Sequence, residues 1–98
     1  MQLNKNGYVP LAKTLAMEQL PDFLLSMLEG MAENVHEAWA QQKMAEGWTF
    51  GEAYDRSLLK HPSLKPYAEL DELQKGYDRS TALATLGFLI KEGYLITK

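Results

Sequence analysis

The sequence contains no cysteine among its 98 residues. This absence excludes disulfide bonds, thiol nucleophiles and thiolate metal ligands, and it is compatible with a reducing compartment. Long apolar runs are also missing: Phe23-Leu24-Leu25 is far shorter than the roughly 20 residues that span a bilayer. The first ten residues lack the apolar stretch and small-residue cleavage site of a signal peptide. We therefore expect a cytoplasmic protein that does not insert into membranes.

A concentrated positive charge is missing as well. The 10 Lys and Arg residues are outnumbered by 13 Asp and Glu residues, which gives a net charge of −3. Nucleic acid is not an expected partner, because binding its phosphates requires a basic face. The hydrophobic fraction of 46% and the length both suit one globular domain. We expect a single domain over residues 1–98, with an N-terminal arm over 1–20 and a helical core over 21–98.

Two segments have the periodicity of an amphipathic helix. The first starts at Pro21 and stops at Gly47, with apolar residues recurring at steps of three and four. Gly30 interrupts it, so the pattern is compatible with one helix that has a weak point or with two helices that meet there. The second covers residues 81–92, and we expect Asp78 or Ser80 to cap it. Residues 70–76 predict one or two separate helical turns.

A long ordered loop is predicted between these helices, over residues 47–69. Gly51, Pro62 and Pro66 interrupt regular structure there, and residues 52–56 predict a short helical turn. Ordered loops of this length in a compact domain usually carry function. We expect residues 94–98 to form a short extended segment that packs back on the core. The expected fold is mainly all-α: two principal antiparallel helices, short helical pieces and a long ordered connecting loop.

No residue pattern indicates an enzyme. Ser57 or Ser63 with His61 are the available nucleophile and base, and no motif for a strained nucleophile turn or an oxyanion hole surrounds them. The sequence also lacks a glycine-rich phosphate loop of either standard spacing. We therefore expect no catalytic residue and no cofactor.

A metal site is not expected either. His36 and His61 lie far apart in the sequence and form no ligand-spaced pair on a helix. Glu33 and Glu37 lie one helical turn apart, and like charges at that spacing cost a few tenths of a kcal/mol. This pair is more typical of a solvated helix face than of paired catalytic or metal-binding carboxylates.

The aromatic residues are concentrated between positions 39 and 77. In HEAWAQQKMAEGWTFG (36–51), Trp39 lies on the helix between His36 and Lys43, while Trp48 follows the helix stop. Two flat rings beside polar groups suit a planar heterocycle, which they would bind by stacking and by hydrogen bonds to its edge. Tryptophans in so small a domain are more often core anchors. The spacing alone leaves both interpretations open.

Three blocks resemble the ryanodine-receptor repeat domain, or RyR domain, in their order and spacing. They are AENVHEAWAQQKMAEGWTFG (32–51), KHPSLKPYAEL (60–70) and YDRSTALATLGFLIKEGY (77–94). The segments Tyr8-Val9-Pro10 and Leu20-Pro21 are similar to the lead-in of single-copy prokaryotic versions. The resemblance implies a mostly helical, non-enzymatic unit with two principal helices and a long loop. Channel members carry such units as tandem pairs with pseudo-twofold symmetry, so a single copy is expected to rebuild the pair as a homodimer.

The resemblance also implies a ligand, because channel pairs are associated with adenine nucleotides whose base stacks on tryptophan. The residues carried over by motif are Trp39 and Trp48 for stacking, Glu33, Asn34 and His36 as polar neighbours, and Lys60, His61 and Arg79 for phosphate. The same motifs are compatible with a structural role in which Arg79 pairs with a carboxylate such as Glu33 or Glu37. The expected function is a non-enzymatic binding or sensor module for an adenine nucleotide or nucleotide-derived ligand. The alternative is a structural or protein-interaction module that self-associates as a dimer.

Overall fold

The computed structural model describes residues 4–97, so the parts of the expected arm and tail that fall on residues 1–3 and 98 lie outside the described residues. The helices are α1 (Asp22–Leu25), α2 (Leu28–Ala45) and α3 (Glu72–Lys91). Two-residue strands, β1 (Thr49–Phe50) and β2 (Lys60–His61), pair in parallel. Short 3-10 turns cover Lys5–Gly7, Met17–Gln19 and Tyr67–Glu69. The predicted mainly α-helical fold with two long helices is confirmed.

The break in the first helical segment lies at Ser26 and Met27, between α1 and α2. The hydroxyl of Ser26 donates a hydrogen bond to the carbonyl of Phe23 at 3.0 Å, which closes α1 locally. Gly30 lies inside α2, where an added Cβ would meet no atom within 4 Å. The alternative with two helices is therefore right, but the expectation that they meet at Gly30 is wrong. The predicted stop at Gly47 is confirmed by its positive φ of 97°.

The second long helix starts earlier than predicted. Asp71 caps α3, and its carboxylate accepts a hydrogen bond from the backbone N–H of Gln74 at 2.8 Å. The prediction of separate turns over 70–76 and of a cap at Asp78 or Ser80 is wrong, because Gly76 lies inside this helix. One internal glycine costs about 1 kcal/mol, which the cap at Asp71 alone offsets. Residues 72–80 are consequently helical, and this places Gln74 and Asp78 one turn apart.

The connecting loop is ordered by a small amount of sheet structure. Backbone hydrogen bonds between Asp55 and Lys60 close a turn over residues 56–59, with Leu59 at a φ of 56°. The carboxylate of Asp55 accepts from the hydroxyl of Ser57 at 2.8 Å and from the N–H of Leu58 at 3.1 Å. The helical turn predicted over 52–56 is therefore wrong, because Asp55 pairs with β2 instead.

The two long helices run antiparallel, as predicted. Met31, early in α2, shares a groove with Leu86, late in α3, whereas His36 further along α2 lies beside Asp78, nearer the start of α3. The core forms two clusters. One consists of Leu15, Leu20 and Leu24 against Leu83, Leu86, Ile90 and Ile96, and the other of Ala32, Tyr67 and Leu70. Residues of the expected arm therefore supply buried leucines, and Ile96 of the tail packs back as predicted.

Across residues 4–97, no helix is both long and apolar enough to cross a membrane.

Candidate functional site

A cleft of about 270 Å³ lies where α2, α3 and the chain around β2 meet. Its walls combine aromatic rings with hydrogen-bonding side chains. The lining residues are His36 and Trp39 from α2, His61 and Ser63 from the loop, and Gln74, Tyr77 and Asp78 from α3.

Trp39 forms the aromatic wall of this cleft. Its ring stacks on the imidazole of His36, with ring centroids 5.6 Å apart, and meets His61 edge-on at 4.9 Å. The residue is half-buried. The neighbouring imidazoles hold the indole in one orientation, and its remaining surface is available to a planar group.

His36 is almost fully buried, with 3% of its surface exposed. Its Nε2 lies 2.7 Å from the carbonyl oxygen of Lys65, which can only accept a hydrogen bond, so Nε2 carries a proton. In the neutral imidazole, Nδ1 then carries a free lone pair. This atom lies 3.9 Å from Oδ2 of Asp78, beyond hydrogen-bond distance.

Asp78 brings a carboxylate into the cleft. Its side chain is 18% exposed, and burial raises its pKa, an effect that His36 partly offsets when its imidazole is protonated. No side chain within residues 4–97 donates a hydrogen bond to this carboxylate. The cleft therefore presents a partly exposed carboxylate that can accept hydrogen bonds.

The loop side of the cleft supplies hydrogen-bond donors. The hydroxyl of Ser63 donates to Oε1 of Gln74 at 2.6 Å, which leaves the amide nitrogen of Gln74 available. The backbone N–H of Ser63 donates to Nδ1 of His61 at 3.0 Å, so the proton of a neutral His61 is on Nε2. Burial, and secondarily the charge of Lys43, lower the pKa of His61. In the described part of the chain, no group of three or more His, Cys, Asp or Glu residues is placed to hold a metal ion.

The part of the chain that forms the cleft matches a known protein family. A family model described as the RyR domain matches residues 8–98. The chain belongs to the RyR domain family. This finding agrees with the resemblance of the three sequence blocks, and every residue that lines the cleft falls inside the matched range.

Three of the predicted site residues of this RyR domain line the cleft: His36, Trp39 and His61. Trp48 does not line it. Its ring is buried, with 8% of the residue exposed, and packs beside Tyr54 at 5.7 Å with the ammonium group of Lys43 over it at 5.1 Å. The structure therefore gives Trp48 the surroundings of a core anchor that supports the loop.

The remaining predicted site residues lie outside the cleft. Glu33 and Asn34 are exposed, and Asn34 faces a separate groove between the long helices. The Nζ of Lys60 donates a hydrogen bond to the hydroxyl of Thr49 at 2.8 Å, which joins the two short strands.

Arg79 of the RyR domain belongs to a network of ion pairs. It bonds the carboxylates of Glu29 and Glu72, the latter at 3.0 Å, rather than Glu33 or Glu37. The hydroxyl of Tyr67 also donates to Glu29, at 2.7 Å. The hydrogen bonds from Arg79 and Tyr67 lower the pKa of Glu29, while burial and this bond raise the pKa of Tyr67 to about 12. Arg79 thus ties α3 to α2.

Four lining residues were not predicted as site residues: Ser63, Gln74, Tyr77 and Asp78. The spacing of the last three, at i, i+3 and i+4, is the signal that identifies them, since it places them on one helical face. The sequence interpretation ended the preceding turns at Gly76, and so it assigned Asp78 to a helix cap.

The RyR domain also exposes an apolar face on the long helices. A groove of about 520 Å³ lies between α2 and α3, and an adjoining depression of about 490 Å³ lies along α3, with Thr85 in both. This apolar face comprises Met27, Gly30, Met31, Val35, Ala82, Ala84, Thr85, Leu86, Phe88 and Leu89.

Proposed function

We propose that this RyR domain is a non-enzymatic binding module whose cleft takes the base of an adenine nucleotide or of a related nucleotide-derived ligand. The observation that carries the proposal is the half-buried indole of Trp39, which shares one cleft with the hydrogen-bonding side chains of Gln74 and Asp78. Small-molecule sites usually measure about 300–1,000 Å³. A cleft of about 270 Å³ suits a base, with the sugar and phosphate outside.

Lys43 is the cation that best supports a phosphate role near the cleft. It lies one helical turn after Trp39, and its charge contributes to the lowered pKa of His61, which lines the cleft. Its Nζ is 4.0 Å from the carboxylate of Glu46, a partly exposed pair that binds weakly, and lies 5.1 Å from the ring centre of Trp48. By contrast, Lys60 and Arg79 are engaged in hydrogen bonds elsewhere.

The hydrogen bonds around Ser63 support a binding role rather than nucleophilic catalysis. An activated serine donates its hydroxyl proton to a base. Ser63 instead donates its hydroxyl to the amide of Gln74, and the Nδ1 of His61 is occupied by the N–H of Ser63. These bonds position the cleft wall.

The proposal is tested by titrating AMP, ADP and ADP-ribose into the protein by calorimetry. Stacking on one aromatic ring contributes about 1–3 kcal/mol, so Trp39→Ala should weaken binding about 5- to 150-fold. Phe50→Ala is the matched control, because Phe50 is a half-exposed aromatic residue outside the cleft. Failure of all three nucleotides to bind the wild-type protein, or an equal loss in both variants, contradicts the proposal.

A second function, self-association through the apolar face, is favoured by a separate observation. The accessible surface of the chain is 7549 Å², against about 5,700 Å² for a typical monomer of 11.1 kDa. The excess is larger than the roughly 800 Å² that each partner buries in a standard interface. Phe88 and Leu89 remain 53% and 40% exposed on this face. A second copy of the chain is the partner we propose, since pairing would cover the face on both.

Light scattering coupled to gel filtration tests this second function. The wild-type protein should have about twice the monomer mass of 11.1 kDa. Thr85→Arg should give monomers, because it places a charge at the centre of the apolar face. Ser80→Arg adds the same charge at an exposed position of α3 outside that face and should leave the dimer intact. A monomeric wild-type protein rules the dimer out.

A further inference from the structure

The N-terminal arm leaves the domain beside the apolar face. Its Lys13 pairs with Glu92 just after the end of α3, and the same ammonium group lies 5.4 Å from the ring centre of Phe88, which belongs to that face. The backbone of Thr14 crosses α3 at Gly87. The residues before Lys13 therefore start from the edge of the apolar face.

These leading residues carry large apolar side chains that the domain does not cover. Tyr8, Val9 and Leu11 are 63%, 65% and 90% exposed. Within residues 4–97, residues 9–15 form no backbone hydrogen bond, so neither a helix nor a sheet holds them. Adjoining exposed apolar residues mark interaction sites in soluble proteins. We therefore expect this segment to contact a partner surface.

The symmetry of a dimer determines which surface the segment would meet. A twofold dimer buries the same face on both copies, and Thr85 lies at the centre of the apolar face. In an antiparallel pairing of the two α3 helices about Thr85, positions after it in one copy lie opposite positions before it in the other. The arm beside Phe88 then lies opposite Ala82 of the second copy, which lines the apolar groove with Met31 and Val35.

The segment is long enough to cross between the two copies. The backbone of Val9 is biased toward an extended conformation, because a proline follows it. Extended chain covers about 3.3 Å per residue, so residues 8–12 span about 16 Å. Helices packed against each other have axes about 8–10 Å apart. Residues 8–12 can therefore reach from the edge of one apolar face into the groove of the other copy.

We propose that the two copies exchange their arms, so that Tyr8, Val9 and Leu11 of each copy bind in the apolar groove between α2 and α3 of the other. This inference rests on the proposed self-association, and it adds the segment of the chain that fills the groove. The exchange covers two exposed apolar surfaces at once, the arm of one copy and the groove of the other.

Sedimentation velocity over a dilution series measures the dimer dissociation constant. Leu11→Asp should raise this constant at least about tenfold, because it places a charge in an apolar groove. Leu58→Asp makes the same change at an exposed leucine outside the apolar face and should keep the wild-type constant. An unchanged constant in Leu11→Asp overturns the inference and leaves self-association standing. If the wild-type protein is monomeric, self-association fails and this inference fails with it.

Cross-linking locates the arm, since the chain has no cysteine of its own. A preparation of Leu11→Cys is mixed with one of Val35→Cys and treated with a short bis-maleimide. Each chain then carries a single thiol, so a peptide pair that joins positions 11 and 35 comes from two copies. Mass spectrometry should find this pair, whereas a mixture of Leu58→Cys with Val35→Cys should give no corresponding pair. Absence of the pair in a mixture that remains dimeric, or an equal yield in the Leu58→Cys mixture, overturns the inference.

Discussion

His61 lies where the aromatic residues of the loop meet the cleft. Its ring is edge-on to Trp39 at 4.9 Å and to Tyr54 at 5.5 Å, and its Nδ1 accepts the N–H of Ser63. Burial and the charge of Lys43 both disfavour the imidazolium, which lowers the pKa of His61 from its ordinary value of 6.5. The folded protein therefore holds His61 neutral at pH values where the unfolded chain protonates it.

This difference predicts a loss of stability on acidification. Below about pH 6.5 the unfolded state binds the proton first, so the free energy of unfolding should fall as the pH drops toward the folded-state pKa of His61. Above about pH 6.5 this contribution is fully present. In His61→Asn the amide oxygen can still accept the N–H of Ser63, but the side chain does not titrate.

Thermal melts between about pH 7.5 and pH 5.5 measure this effect. The melting temperature of the wild-type protein should fall more steeply with acidification than that of His61→Asn. Carboxylates contribute equally to both proteins and so do not affect the comparison: the pKa values of Glu29 and Asp55 are lowered, and burial raises that of Asp78. Parallel curves for the two proteins would show that His61 is not held neutral by the fold.

At the scale of elements, α3 contains two internal glycines in opposite surroundings. At Gly87 an added Cβ would lie 2.5 Å from Cα of Thr14 and 2.7 Å from its carbonyl carbon, because the N-terminal arm crosses the helix there. At Gly76 an added Cβ would meet no atom within 4 Å. Gly87 permits the arm to pack against the helix, whereas Gly76 only weakens the helix.

Alanine substitutions at the two positions should therefore have opposite effects. Gly76→Ala should stabilise the protein by about 0.5–1 kcal/mol, the gain in helix propensity. Gly87→Ala has the same gain in helix propensity, but its added methyl group must displace the backbone of Thr14. Overpacking of this kind costs about 1–3 kcal/mol. Urea unfolding followed by circular dichroism measures both. If Gly87→Ala is as stable as Gly76→Ala, the arm does not rest on α3 in solution.

Elements defined by strong local signals were predictable from the sequence, and those decided by weak or distant interactions were not. The apolar period of α2 and the glycine at 47 predict where that helix lies and stops. The extent of α3 depends on a balance between Gly76, which opposes a helix, and Asp71, which caps one. That balance is settled by packing against α2 through contacts such as the Arg79 ion pair with Glu29, which are 50 residues apart in the sequence.

The cleft was predictable only in part for the same reason. His36, Trp39 and His61 lie in blocks whose motifs resemble a family, so they could be singled out. Asp78 and Gln74 join them only because α2 and α3 run antiparallel and because helix α3 begins at Glu72. A local sequence pattern carries no information about which distant elements pack together. The burial of Trp48 likewise depends on tertiary structure, because a turn in the loop brings Tyr54 beside it.

At the scale of the whole molecule, the chain is extended for its length. Its radius of gyration is 16.2 Å, against about 13 Å for a compact domain of this size. Two small clusters of buried residues replace one central core, and the cluster around Leu24 takes Leu15 and Leu20 from the N-terminal arm. Those two leucines are each 7% exposed, so the arm is structural at least from residue 15 onward.

Removing the arm should therefore unfold the domain, although most of its residues are exposed. Loss of a buried leucine side chain costs about 2–5 kcal/mol, so losing two approaches the 5–15 kcal/mol that stabilises a typical domain. A chain of residues 21–98 should lack a cooperative thermal transition. A chain of residues 8–98, which keeps the full range matched by the RyR family model, should melt like the intact protein.

Replacing Leu15 and Leu20 by alanine in the intact chain should reproduce most of the loss of stability, because these side chains fill the space against Leu83 and Leu86. A cooperative transition in residues 21–98 at the intact protein's melting temperature would show that the helices fold without the arm.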